Sequence, residues 1–182
     1  MSPSTRRAWG WHRLTDRWAQ KIVADAGVQP NDLVLDIGAG TGALTGQLLA
    51  AGAEVLAVEL HPERVAKLRS RFGKHRLTVL PVDAAHLRLP NRPFRIVANP
   101  PFALTGQLLH QILAPGVPLL TAHLVLQRGN AKRWASGVIR GSRKWSCLYD
   151  LQVKSLLPRS AFIPRPTVDT AVLMISPRSR AR

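Results

Sequence analysis

Cysteine is nearly absent from this chain, Cys147 being the only one. A single thiol excludes an internal disulfide and a thiolate zinc cluster, and it points to a cytoplasmic protein. Acidic residues are scarce too: 10 Asp+Glu stand against 26 Lys+Arg, for a formal net charge of +16. A fold needs no such excess, which fits a polyanionic partner such as nucleic acid. Long apolar runs are missing, and no stretch approaches the roughly 20 residues of a membrane span. Arg6 and Arg7 are followed by no apolar segment of the secretory kind, so no membrane attachment is expected. Aromatic residues make up only 5% of the chain, and five of them are Trp.

What remains is globular. The chain is 46% hydrophobic over 182 residues, enough for one domain with a full core. Helical character runs from Asp16 to Ala26, and Leu33 to Ile37 is a short buried strand. A helix from Ala43 to Ala51 stops at Gly52, and Glu54 to Leu60 is the next strand. Pro62 suits a first helical position, opening a helix to Phe72. Strands follow at Leu77 to Val82 and Phe94 to Ala98, a helix at Thr105 to Leu113, and a strand at His123 to Gln127. Leu148 to Leu157 and Val168 to Ile175 suit paired strands around a Pro-rich loop at 158–166. Strands and helices alternating through short links specify an α/β, doubly wound sheet. Residues 1–13 read as a basic arm, 14–176 as the domain, and 177–182 as a basic tail.

Acidic or amide residues stand at or just past successive strand ends: Asp36, Glu59, Asp83 and Asn99. In an open α/β sheet that edge is where ligands bind. An acid there can equally be a helix cap, but the coincidence with Gly38-Ala39-Gly40-Thr41-Gly42 favours a ligand site. Gly38-x-Gly40-x-x-Ala43 with Glu59 downstream satisfies a loose dinucleotide fingerprint, so a nicotinamide enzyme is a competitor. Asp36, two residues before the first glycine, would repel a pyrophosphate and suits a cationic amino-acid-like group. Asp83 can accept from an adenine amino group. The set therefore favours S-adenosyl-L-methionine, with glycine backbone under its methionine portion and Glu59 on its ribose. Beside it, Asn99-Pro100-Pro101-Phe102 closes a buried strand with an amide, a rigid turn and an aromatic ring. Asn99 Oδ1 and the Pro100 carbonyl can accept from a planar amino group while Phe102 stacks on its plane. Asn-Pro is also an ordinary turn signal.

These motifs resemble the class I methyltransferases, and within them the rRNA adenine dimethyltransferases of the Erm/KsgA type. The resemblance runs from Trp11 to Ile175. It rests on Asp36-Ile37-Gly38-Ala39-Gly40-Thr41-Gly42, Val58-Glu59-Leu60, Asp83-Ala84, the Asn99 tetrapeptide, and Phe162-Ile163-Pro164-Arg165-Pro166-Thr167-Val168-Asp169-Thr170. The chain is most similar to the short Erm enzymes of mycobacteria and related actinobacteria, which modify 23S rRNA and confer macrolide resistance.

The resemblance implies a Rossmann-like fold with a central, mostly parallel seven-stranded sheet and helices on both faces. It implies that His12, Leu14, Asp36, Gly38, Gly40, Glu59, Leu60, Asp83, Ala84 and Asn99 hold the cofactor. Asn99, Pro100, Phe102 and Phe162 would hold the target base, Phe162 closing another side of its pocket. The helical C-terminal domain usual in the family is not expected here. Where the family carries Gln-Asn-Phe-Leu this chain has Trp11-His12-Arg13-Leu14, and Pro100 replaces an aliphatic residue. Glutamine and DNA-adenine methyltransferases also carry Asn-Pro-Pro-aromatic, so those substrates stay open, as do 16S rRNA and a non-catalytic rRNA-binding role.

Basic residues fall in three groups. Arg6, Arg7, Arg13, Arg17 and Lys21 lie near Trp9, Trp11 and Trp18. Arg128, Lys132, Arg133, Arg140, Arg143 and Lys144 lie near Trp134 and Trp145, and Arg159, Arg165, Arg178, Arg180 and Arg182 follow later. Lys and Arg suit phosphates and exposed Trp suits unstacked bases. The first two groups are expected to grip RNA, either 23S rRNA or a large-subunit precursor, with the protein as a monomer. Arg64, Arg69 and Arg71 read instead as a solvated helix face.

Overall fold

The computed structural model describes residues 12–73, 75–139 and 143–178. Five strands run parallel from one edge of the sheet: β2 (Leu33–Ile37), β3 (Glu54–Val58), β4 (Leu77–Leu80), β5 (Phe94–Ala98) and β6 (Leu119–Gln127), with β4 at the edge. β9 (Thr170–Pro177) pairs antiparallel with β6, and β7 (Tyr149–Leu157) pairs antiparallel with β9. The order across this seven-stranded sheet is β4-β3-β2-β5-β6-β9-β7. The order reverses direction between β2 and β5, which opens a crevice at their C-terminal ends. The expected mostly parallel α/β sheet is the one observed.

The central strands are mostly apolar because both faces are covered. Leu33, Leu35 and Ile37 enter one core layer while Val34 enters the other. β9 alternates the same way, with Ala171, Leu173 and Ile175 on the first face and Val172 on the second. Helices α1 (Asp16–Asp25) and α2 (Ala43–Ala50) cover the second face, through Ala19, Ile22, Val23, Leu44 and Leu48. α3 (Pro62–Phe72) sends Leu68 and Phe72 into a smaller cluster with Ala57. α4 (Thr105–Ile112) covers the first face with Leu108, Leu109 and Ile112. Truncating a fully buried leucine such as Leu35 to Ala is worth about 2–5 kcal/mol.

Several elements depart from expectation. Two short helices, α5 (Arg128–Ala135) and α6 (Arg143–Ser146), occupy the stretch read only as a basic cluster. They fold because Trp134 and Trp145 pack inward, each 5% exposed, with ring centroids 5.6 Å apart. The expectation that these two Trp present a base-stacking surface is thereby corrected: they are core. β6 begins at Leu119 rather than His123, and Thr121 within it accepts from Arg95 Nη1 at 2.9 Å. The two-residue strands β1 (Arg13–Leu14) and β8 (Phe162–Ile163) pair antiparallel and tie the front of the chain to the Pro-rich loop. No helix among the described residues is long and apolar enough to cross a membrane.

His123 lies in the middle of β6, 3% exposed, opposite Val97 on one side and Met174 on the other. Neither ring nitrogen has a hydrogen-bond partner among the described residues. Burial pushes its pKa from 6.5 down to about 4, and the positive charge of Lys154 adds to the shift. Keeping the ring neutral therefore supports the fold fully above pH 6.5, and that support is lost as pH falls toward 4. The stability difference between the native chain and His123→Leu is expected to shift against the native chain by about 2 kcal/mol from pH 7.5 to pH 5, by urea unfolding. A difference that is flat with pH would contradict it.

Candidate active site

A cavity of about 520 Å³ sits at the crevice, within the range of small-molecule sites. Its floor comes from the ends of β2, β3, β4 and β5, and His12, Arg13 and Leu14 lie over it. Among the lining residues are Asp36, Gly38, Gly40, Glu59, Leu60, Asp83, Ala84, Asn99, Pro100 and Phe102. The structure thus brings together every residue that the sequence offered for cofactor contact.

The glycine loop can turn here because Gly38, Gly40 and Gly42 all have positive φ, at 76°, 59° and 88°. At Gly38 the reason is also steric. A Cβ there would sit 3.0 Å from Pro101 Cδ and 3.3 Å from Pro100 Cα. The loop after β2 and the turn after β5 are therefore in backbone contact, and only glycine permits it.

Glu59, 5% exposed, locks this loop from the next strand. Its Oε2 accepts from Gly40 N–H at 2.8 Å and its Oε1 from His61 N–H at 2.9 Å. A carboxylate has about four acceptor positions, so capacity remains for two hydroxyls of a sugar. Arg64 Nη1 lies 3.8 Å from Oε1, its side chain only 16% exposed. The solvated-face reading of Arg64 is corrected: the residue turns inward and lines the cavity. Charge pairing with the buried Glu59 is the physical reason.

Asp36 is 1% exposed and accepts from Thr45 Oγ1 at 2.6 Å. Burial raises its pKa from 3.8 to about 7, against the lowering effect of Thr45, and Glu59 adds to the rise. A cation entering the cavity would favour the ionised form. Asp83 caps the turn at Ala84–His86, its Oδ1 accepting from Ala85 N–H at 2.9 Å. That turn is held from α4, where Gln107 Nε2 donates to Ala85 O at 2.9 Å and Gln111 Nε2 donates to Leu87 O. Leu60 and Val82 are 42% and 37% exposed at the rim, an apolar pair facing solvent beside the cavity. Val82 was missed by sequence reasoning, although it directly precedes Asp83 and signals an apolar ligand face.

Asn99 Nδ2 donates to the backbone oxygen of His12 at 2.8 Å. This fixes which end of the amide points outward to a partner: Oδ1 accepts from no described residue. Phe102 is half-buried at the start of the next turn, and Thr105 Oγ1 donates to its carbonyl at 2.9 Å. Phe162, in contrast, is 1% exposed, packed in the core with Leu14 and Ile22, and does not line the cavity. Its expected role in closing the base pocket is corrected, because pairing of β8 with β1 turns the ring into the apolar layer beneath.

The basic residues are dispersed. Arg13 lines the cavity and pairs with Asp16 at 2.5 Å. Arg17, Lys132, Arg133 and Lys144 are exposed. Arg128 and Arg159 share Asp169, at 3.9 and 3.1 Å. α5 starts where β6 ends, on the sheet edge that carries the cavity. Arg6, Arg7, Arg140, Trp9 and Trp11 lie outside the described residues, as does the Arg143 side chain. Trp18 packs, half-buried, against the second core layer. No group of His, Cys, Asp and Glu suited to a metal occurs among the described residues.

The set suits S-adenosyl-L-methionine: a glycine cradle, a carboxylate with spare acceptor positions, an apolar rim and a capping aspartate. Comparison with known proteins agrees. A family model described as "Ribosomal RNA adenine dimethylase" matches residues 4–181. "Ribosomal RNA small subunit methyltransferase A" of Synechococcus sp. (strain JA-2-3B'a(2-13)) is 35% identical over 97% of this chain and 68% of its own length. "rRNA adenine N-6-methyltransferase" of Bacillus licheniformis is 31% identical over 89% of this chain, which spans 58% of that relative. The crystal structure of the 23S rRNA methyltransferase ErmE superimposes with a TM-score of 0.82 at 25% identity, covering 91% of this chain and 70% of that one.

Two substitutions probe the cradle. Gly38→Ala forces a side chain into a left-handed backbone and against Pro101, so a lower melting temperature and loss of S-adenosyl-L-methionine heat in calorimetry are expected. An unchanged titration would refute the close-contact account. For Asp36 the sign is opposite to His123. A raised carboxyl pKa supports the fold below pH 3.8 and loses that support as pH rises to about 7. Stability relative to Asp36→Asn is therefore expected to fall across that window in denaturant titrations.

Proposed function

The chain belongs to the ribosomal RNA adenine dimethylase family, and on that footing we propose that it methylates the exocyclic N6 of an adenine in 23S rRNA. As an S-adenosyl-L-methionine-dependent rRNA adenine methyltransferase it needs two adjoining pockets, one for the methyl donor and one for the base. The observation that carries the reading is Asn99. Its Nδ2 is committed to His12 O, which leaves Oδ1 as the acceptor of the amide in a cavity that Phe102 also lines.

The N6 nitrogen is a weak nucleophile because its lone pair is delocalised into the ring. Asn99 Oδ1 and the Pro100 carbonyl accept its two hydrogens, which favours a pyramidal nitrogen with its lone pair free for attack. Phe102 holds the plane of the base, and Glu59, Asp83 and the Gly38–Gly40 backbone hold the donor. S-adenosyl-L-methionine, when bound, supplies an electrophilic methyl on a sulfonium. The chain contributes positioning above all, and the base must leave its stack to reach the cavity. The charge of +16 supplies the attraction to phosphate, with Arg13, Arg17, Arg128, Lys132, Arg133 and Lys144 as the described contributors.

The likeness to ErmE, a 23S rRNA methyltransferase, supports 23S rRNA as the substrate; a large-subunit precursor, macrolide-lincosamide-streptogramin B resistance and a cytoplasmic monomer belong to the same proposal. The relative named for the small subunit, matched over 97% of this chain, supports 16S rRNA as the second reading. Tritiated methyl transfer to naked 23S rRNA, large subunits, 16S rRNA and DNA separates them. Label in 23S rRNA is expected, and label confined to 16S rRNA or DNA would overturn the choice. Asn99→Ala is expected to cut transfer about 10²–10³-fold while cofactor binding persists. Normal turnover in that variant would sink the mechanism.

A further inference from the structure

The first turn of α3 contains a residue that local preference disfavours. The N-terminal end of a helix carries partial positive charge, so Glu63 suits it and a cation does not. Arg64 stands there nonetheless, one turn before the fully buried Leu68. Residues four apart share a helix face, so its place adjoins the side that packs inward, where an apolar side chain would serve. The guanidinium instead lies in the cavity wall, with Nη1 3.8 Å from Glu59 Oε1 and the side chain only 16% exposed. Burying a charge there is costly unless a partner meets it.

Glu59 is that partner, and it is held from three sides. Gly40 N–H meets Oε2, while His61 N–H and the Arg64 guanidinium stand at Oε1. The two amides belong to the backbone, so the glycine loop and the turn into α3 set their directions. That turn is itself closed by Arg64, whose N–H donates to His61 O at 3.0 Å. Arg64 thus acts on Glu59 twice, through the turn that presents His61 and through its side chain. Only the side chain carries charge. Without it, a carboxylate 5% exposed would stand near the buried Asp36, whose ionisation Glu59 already opposes. A charged donor also fixes the direction of a carboxylate more firmly than a neutral one.

We propose that Arg64 is a positioning residue for the cofactor: it holds the Glu59 carboxylate in the rotamer whose remaining acceptor positions meet the ribose hydroxyls. This rests on the reading of Glu59 as the ribose contact and adds the group that orients it. Arg64 touches the carboxylate rather than the reacting methyl, so it governs affinity for the donor and not the transfer step. A guanidinium suits the task better than an ammonium, because its charge persists and its donors lie in a fixed plane. Lysine at this place keeps the charge and loses the plane.

Calorimetry with two ligands separates orientation of Glu59 from simple support of the cavity. One is S-adenosyl-L-homocysteine, and the other its 2′,3′-dideoxy analogue, which lacks both ribose hydroxyls. Arg64→Met is expected to weaken the first about tenfold and the second by less than about twofold. Arg64→Lys should recover most of the loss, and in a Glu59→Gln background Arg64→Met should cost nothing further. With an rRNA that the native enzyme methylates, KM for S-adenosyl-L-methionine should rise in Arg64→Met while kcat holds. Equal weakening of both ligands would mean that Arg64 only supports the cavity wall, and the positioning role would be wrong. No weakening of either, or a further loss in the Glu59→Gln background, would overturn that role as well. Should Arg64→Met fail to fold by circular dichroism, Arg64→Gln is read in its place against the same outcomes. If the native protein binds the two ligands equally, Glu59 does not grip the ribose, and the role of Arg64 falls with that reading.

Discussion

The structure depends on one close approach of backbone to backbone. Gly38, after β2 and at positive φ, lies against Pro100 and Pro101, after β5, so closely that a Cβ would meet Pro101 at 3.0 Å. The glycine loop and the Asn99 turn are therefore two sides of a single junction rather than neighbouring loops. Glu59 reinforces the junction from β3 by accepting from Gly40 and His61. A methyl transfer catalysed by positioning needs this rigidity, because its rate depends on where two reactants are held. Buried carboxylates are costly unless paired. Here Glu59 is met by two amides and Arg64, while Asp36 has the hydroxyl and backbone N–H of Thr45 and, through its burial, a pKa raised to about 7.

Much of this was legible in the sequence because its signals are local. Leu33 to Ile37 and Phe94 to Ala98 are short apolar runs that end in glycine or an amide, and they became β2 and β5 at those bounds. Arg95 interrupts the second run without breaking it, since its guanidinium reaches Asp32 at 2.7 Å and Thr121 at the sheet's edge. The ligand-facing residues were legible for a related reason: doubly wound sheets gather strand ends on one edge, so acids at those ends converge.

What stayed hidden depends on distant partners. β1 and β8 are two residues long and lie far apart in the chain, with no periodicity to announce them. The Arg128–Ala135 helix contributes only Ala131 and Trp134 to the core, so a basic stretch conceals it. Charge alone did not reveal which arginines serve structure. Arg64 sits on a helix whose Arg69 and Arg71 are exposed, and only the fold brings it beside Glu59. Aromatic content misled in the same way, because a Trp in a basic segment can be the residue that anchors that segment.

The pairing of β1 with β8 bears on how the protein is made. A polypeptide emerges from its N-terminus, and domains commonly begin to fold during synthesis. The strands and turns that make the floor of the cavity all lie before Thr105 and can associate early. His12 emerges before any of them, yet the groups that hold its segment in place, Ile163 and Pro164, follow some 150 residues later. A nascent chain thus carries a floor without a roof from the emergence of Thr105 until Ile163 and Pro164 follow. The site closes only when β1 meets β8, so a chain truncated before Ile163 would lose the enclosure.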